Sequence, residues 1–201
     1  MAQDQKQEAI INAAIKRFAH FGVAKTTMSE IAADLALSKA SLYYYFPDKL
    51  SLYAEVIKTI SEQGTAEAEA YLNRESDPFA AIRYFLEWRT DYIVRYHNVL
   101  AYMRMFPPSN IPGNLEPLII NLKKRELQRI VLILEKGIES KRFNINDPKK
   151  TAELFYDFLE GFRQSIFFSQ PNFFPEKKQF QAALKRELEF ATIFFKGLTV
   201  R

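Results

Sequence analysis

Apolar residues recur along this chain at steps of three and four, the period of a helix with one buried face, and prolines punctuate the runs. The nine prolines stand at 47, 78, 107, 108, 112, 117, 148, 171 and 175. The spacing predicts helices from about Gln3 to Phe21, from Met28 to Leu35, from Lys39 to Tyr45 and from Asp48 to about Asn73. Further helices run from Pro78 to about Met105, Leu118 to about Ser140, Pro148 to about Ser169 and Pro175 to Lys196, with a connector from Phe106 to Pro117. Asp77-Pro78 and Asp147-Pro148 each join a capping carboxylate to a proline that suits the first helical position. Gly22 and Gly197 stand where a helix would close. No stretch alternates as a strand does, so the predicted fold class is all-α.

The first 50 residues hold the sharpest local signals. Ile11, Ala14 and Phe18 form one apolar stripe, and Thr27-Met28-Ser29-Glu30 reads as a capping box that opens a very short helix. Ile31, Ala32 and Leu35 face inward, Ala36 and Leu37 make a turn, and Ser38 caps a third short helix that buries Leu42. Two short helices joined tightly behind a longer one make the helix-turn-helix plan, whose second short helix enters a DNA major groove. The predicted division is a helix-turn-helix domain over residues 1–47 and a larger helical domain over 48–201.

Tyr43, Tyr44 and Tyr45 span about 200° of a helix circumference, so at least one is exposed. Such a phenol can bond a phosphate or lie against sugar and base, with Lys39 and Ser41 on the same surface; the alternative is that the rings merely cover the domain edge.

From about Glu8 to Tyr53 the chain resembles the DNA-binding domain of the TetR/AcrR transcriptional regulators. The residues that carry the resemblance are Ile10-Ile11-Asn12-Ala13-Ala14, Gly22, Thr26-Thr27, Ile31-Ala32, the run from Leu37 to Phe46, and Lys49. The resemblance implies phosphate contacts from Thr27, Tyr43, Tyr44 and Lys49, and places Ser38, Lys39, Ala40, Ser41 and Tyr45 at or near base edges. Two positions depart from the family pattern: Ala36 in the turn and Ala40 on the reading helix both stand where glycine is usual.

Twelve of the 18 phenylalanines fall at or after Phe143. Phe155, Leu159, Phe162 and Ile166 form one stripe of their helix, and Leu154, Phe158, Gly161 and Phe168 form another. On the last helix Phe180, Leu184, Leu188, Ala191 and Phe195 are joined by Ala183, Phe190 and Phe194. The second stripe requires either a partner subunit or a thicker core. The resemblance implies the partner, in a dimeric four-helix bundle, with Phe158, Gly161, Phe190 and Phe194 at the interface. Trp88 and Tyr92, with Arg89 alongside, mark either plain core or the wall of an effector pocket; Phe155 and Phe162 are the other wall candidates, and aromatic walls suit an apolar or aromatic effector.

Composition removes other classes. The 201 residues include no cysteine and only two histidines, His20 and His97, which excludes disulfide scaffolds, thiol chemistry and multi-histidine metal centres. No metal, cofactor or catalytic constellation is predicted. The formal net charge is +4, and residues 121–150 carry nine Lys/Arg against four Asp/Glu, a surplus that a solvated helix face explains. No apolar run reaches the length of a bilayer span, and the expected location is the cytoplasm. The reading is a dimeric regulator of double-stranded operator DNA, a repressor released by a small-molecule effector. Its rivals are an all-helical ligand carrier or adaptor without DNA binding and a small enzyme in the C-terminal region.

Overall fold

The computed structural model describes residues 2–103, 105–106, 108–168 and 177–200. Among these, the helices are α1 Ala2–Phe21, α2 Met28–Asp34, α3 Lys39–Tyr45, α4 Lys49–Arg74, α5 Pro78–Arg95, α6 His97–Met103, α7 Glu116–Glu139, α8 Pro148–Phe168 and α9 Lys177–Gly197. The all-α expectation holds: Phe143 and Thr199 pair as an isolated bridge, and no strand is present among the described residues. The predicted helix limits at Ser169 and Pro175 lie outside the described residues.

Both Asp-Pro starts work as capping chemistry dictates. The Phe79 N–H donates to Asp77 Oδ1 at 3.1 Å, and the Lys150 N–H donates to Asp147 Oδ1 at 3.0 Å. One expectation fails: the run from Pro78 to Met105 is two helices, interrupted at Tyr96. The Val99 and Leu100 amides both turn to the Tyr96 carbonyl, at 3.0 and 2.9 Å, and so start a new helix. The interruption lets Val99 bury fully and brings the Asn98 amide to the Ala19 carbonyl at 2.7 Å.

The chain forms two compact units. The first comprises Met1–Thr65 and Arg95–Leu122, the second Ala66–Val94 and Lys123–Arg201. The first is larger than the 1–47 segment because later residues complete its core. Tyr53 is fully buried, its ring set edge-on to Phe18 and Tyr102 and its hydroxyl donating to the Val99 carbonyl at 2.8 Å. The predicted boundary at 47/48 falls inside the first unit.

In the second unit Phe85, Leu86, Ile130, Ile133, Leu134, Phe155, Leu159 and Phe195 are buried together. Gly137 is required by a close approach: a Cβ there would stand 2.0 Å from the Phe143 ring. The α7 C-terminus ends in a paired-carbonyl motif, with Lys141 N–H on Ile138 and Arg142 N–H on Gly137, both at 2.9 Å, and Lys141 at φ +57°. Lys136 reaches the end of α4, where its ammonium donates to the carbonyls of Leu72, Asn73 and Glu75.

Candidate DNA-reading surface and effector site

The capping box at α2 is complete. The Glu30 carboxylate accepts from the Thr27 N–H at 2.7 Å and from its hydroxyl at 2.8 Å, while the Glu30 N–H returns a bond to Thr27 Oγ1 at 3.3 Å. These bonds, the backbone one foremost, hold the Glu30 carboxyl below its ordinary range. Arg17 ties α1 to the far end of α2 through both oxygens of Asp34, which is likewise held low by that pairing.

The turn between α2 and α3 repeats the motif seen after α7. Ala36 N–H donates to Ala33 at 3.1 Å and Leu37 N–H to Ala32 at 2.9 Å, with Ala36 at φ +51°. This left-handed conformation favours glycine, because a Cβ then crowds the following carbonyl. The sequence departure at Ala36 therefore falls on the one turn residue with positive φ.

Ser38 caps α3, its hydroxyl oxygen accepting from the Ser41 N–H at 3.1 Å. Leu42 is fully buried and points α3 into the core, leaving Lys39, Ala40, Tyr43 and Tyr44 as an exposed stripe on the opposite side. Tyr44 is 74% exposed, and the Lys39 ammonium lies 5.8 Å from the Tyr43 ring centre. Ser41 and Tyr45 stand half-buried on the flank, the Tyr45 ring meeting that of Tyr44 edge-on. Thus two of the three tyrosines are exposed.

Lys49 makes its hydrogen bonds within the protein. Its half-buried side chain folds back so that the ammonium donates to the carbonyls of Val23 at 2.9 Å, Ala24 at 3.4 Å and Thr26 at 3.0 Å. An ammonium has three N–H donors. All three are accounted for within the loop that leads to α2.

In the second unit, Trp88 is half-buried, stacked between Phe85 and Tyr92, with the Arg129 guanidinium 5.0 Å from its ring centre. Phe155 is fully buried among Phe190, Phe194 and Phe195. Phe162 is half-buried, stacked on Phe158 and covered by Arg186. An open groove of about 350 Å³ on α9, lined by Leu184 and Leu188 among others, includes none of the predicted wall residues.

The dimerisation candidates divide in the same way. Phe158 is 44% exposed and stacks at 3.5 Å on the half-buried Phe190. Among the described residues, a Cβ on exposed Gly161 would meet nothing within 4 Å. Phe194 is half-buried against Phe155. Leu154 and Ile193, 64% and 72% exposed, extend the apolar surface, and Ile193 is absent from the stripes read in the sequence.

Sequence reasoning also missed a buried ionic cluster. Glu187 is fully buried, and its carboxylate accepts from Arg163 Nε at 2.5 Å and Nη2 at 2.8 Å, with the second nitrogen also on Thr90 Oγ1 at 3.1 Å. Arg89 donates through Nε to Glu126 at 2.9 Å and through Nη2 to Glu160. Burial alone would depress the Arg89 pKa, but Glu126, Glu160 and Glu187 outweigh it and hold the guanidinium firmly charged. Burial, reinforced by Glu126 and Glu160, raises the Tyr156 phenol above its ordinary range. The available signal was Glu187 at four-residue spacing between Ala183 and Ala191, a charge inside an apolar stripe.

Residues 10–56 match the family model for bacterial regulatory proteins of the tetR family. A crystal structure of a transcriptional regulator from Cytophaga hutchinsonii superposes with a TM-score of 0.85 at 31% identity, over 97% of this chain and 99% of that one. The chain belongs to the TetR family. Among curated TetR-type regulators, RutR of Escherichia coli is 33% identical over 90 residues, 45% of this chain and 42% of RutR. That match spans less than half the length of RutR. A protein of Saccharomonospora viridis crystallised with choline shares the TetR fold, with a TM-score of 0.77 at 16% identity over 98% of this chain and 100% of that one. Among the described residues, no helix is long and apolar enough to cross a membrane.

Proposed function

We propose that this TetR-family chain is a sequence-specific DNA-binding regulator, acting as a homodimer in the cytoplasm and repressing until a small-molecule effector releases it from its operator. The observation that carries the reading is the exposed stripe Lys39, Ala40, Tyr43 and Tyr44 on α3, opposite buried Leu42. It joins two phenols and an ammonium to a small apolar methyl, a set suited to phosphates, base edges and a thymine methyl. Ser38, Ser41 and Tyr45 flank the stripe, and Thr27 heads α2. Lys49 supports the reader by ordering the loop before α2, in place of a direct phosphate contact.

The dimer forms through Leu154, Phe158, Gly161 and Ile193, with Phe190 and Phe194 backing them. The effector lies against Trp88 and Tyr92, with Phe162 as a further wall candidate; Phe155 contributes from the core behind. Release requires that the effector bind the operator-free state more tightly than the operator-bound one.

The test is selection of bound sequences from random duplexes by the full chain. Paired, inversely related half-sites are expected, separated by about 34–36 Å or a multiple of it, with affinity falling as salt rises. Recovery of sequences without paired half-sites would overturn the dimeric reader, and salt-independent or absent binding would overturn DNA recognition itself.

A further inference from the structure

The ionic cluster of the second unit is short of one acceptor. Arg89 is 3% exposed, and while Nε and Nη2 meet Glu126 and Glu160, Nη1 is buried without a hydrogen-bond partner among the described residues. A buried donor left in that condition costs about 1–3 kcal/mol, more where it carries charge. Both oxygens of Glu187 and the hydroxyl of Thr90 already receive bonds from Arg163. The adjoining residue on α5 is Trp88, which forms a stacked aromatic pair with Tyr92.

Charge restricts what can supply the missing oxygen. Arg89, Arg129 and Arg163 are set against Glu126, Glu160 and Glu187, with half-exposed Glu69 a fourth carboxylate 3.5 Å from Arg129. A ligand carboxylate would add negative charge beside Glu126 and Glu160. An amine would bring a cation and no acceptor to Arg89. Both are disfavoured where water is excluded.

We propose that the effector is an uncharged molecule with a flat aromatic body and a carbonyl or hydroxyl oxygen that accepts from Arg89 Nη1, the body lying against Trp88 and Tyr92. This rests on the reading of the second unit as the effector-binding part. It turns an aromatic preference into a specific polar requirement.

Trp88 is the chain's only tryptophan, so its emission reports on the site directly. The full chain is titrated with benzamide, benzoate and toluene. Benzamide is expected to bind about tenfold tighter than toluene, and benzoate more weakly than benzamide. Arg89→Lys keeps a cation towards Glu126 and Glu160 but removes Nη1, and should bring benzamide down to the toluene level. If Arg89→Lys fails to fold by circular dichroism, the three-probe ranking on the unaltered chain decides. Equal affinities for benzamide and toluene, tightest binding by benzoate, unchanged benzamide affinity in folded Arg89→Lys, or no response to any probe would each overturn the inference. Duplex selection without probes is run in parallel. Intact DNA selection with the wrong ranking removes only the effector chemistry, whereas lost DNA selection removes the regulator reading.

Discussion

The Lys49 ammonium sits 3.0 Å from the carbonyl of Thr26, one residue before the threonine that caps α2. In this structure the lysine clasps the loop from which the helix-turn-helix starts. Replacing it by methionine should lower the melting temperature, by the equivalent of about 1–2 kcal/mol. It should also weaken DNA binding without altering the salt dependence. Lys39→Ala should do the reverse, reducing the salt slope by about one phosphate's worth while leaving melting unchanged. Thermal scans and salt titrations of the two variants check both halves; a reduced salt slope for Lys49→Met would restore the phosphate role.

Ala36 and Lys141 occupy equivalent left-handed positions after α2 and α7. A Cβ there costs roughly 1–2 kcal/mol, against about 0.5–1 kcal/mol for the greater unfolded-state freedom of glycine. Ala36→Gly and Lys141→Gly should therefore each raise stability by about 0.5–1 kcal/mol. Urea midpoints at constant slope measure this, and a lowered midpoint for both would contradict the strain assigned to the turns.

Two glycines inside helices should respond oppositely to alanine. Gly137→Ala drives a methyl into the Phe143 ring and should destabilise by about 1–3 kcal/mol. Gly161→Ala meets open space and should stabilise α8 by about 1 kcal/mol. The bulkier Gly161→Leu should leave the subunit folded but yield monomers. Sedimentation showing an unaltered dimer would remove Gly161 from the interface.

Glu30 and Asp34 are both held below their ordinary range, by Thr27 and Arg17 respectively. A depressed folded-state pKa contributes stability that is present above the unfolded value, about 4.3 for Glu and 3.9 for Asp, and lost as pH falls through the folded one. Stability should accordingly decline as pH drops below about 4.5, and Glu30→Gln together with Asp34→Asn should flatten that decline. Urea midpoints between pH 3 and 6 decide the point; an equally steep decline in the double variant would refute it.

Much of this architecture is legible in the residues because local chemistry and tertiary packing agree. Asp77-Pro78, Asp147-Pro148, Thr27 with Glu30, and Ser38 each start a helix by satisfying its own amides. The break at Tyr96 is not legible, since no proline or glycine marks it and its benefit lies in bonds to residues far away in sequence. Arg89, Arg163 and Glu187 are hidden for a related reason: a charged residue reads as exposed unless its buried partner on another helix is known. The exposed stripe of α3 follows from the period alone once Leu42 is placed inside, but the inward fold of Lys49 does not, because a flexible four-carbon stem can reach either way.

The bonds from Tyr53 to Val99 and from Asn98 to Ala19 bear on how such a regulator can be re-engineered. A head-swap cut at residue 47 would sever Phe18 from the ring it packs on and strip the Ala19 carbonyl, at the end of α1, of its amide donor. Grafted onto a foreign sensor, the excised reader would expose an apolar seam and invite aggregation. The transferable cassette is discontinuous: residues 1–65 must travel with 95–122, so recombination has to import the sensor as an insertion between them and a tail behind them.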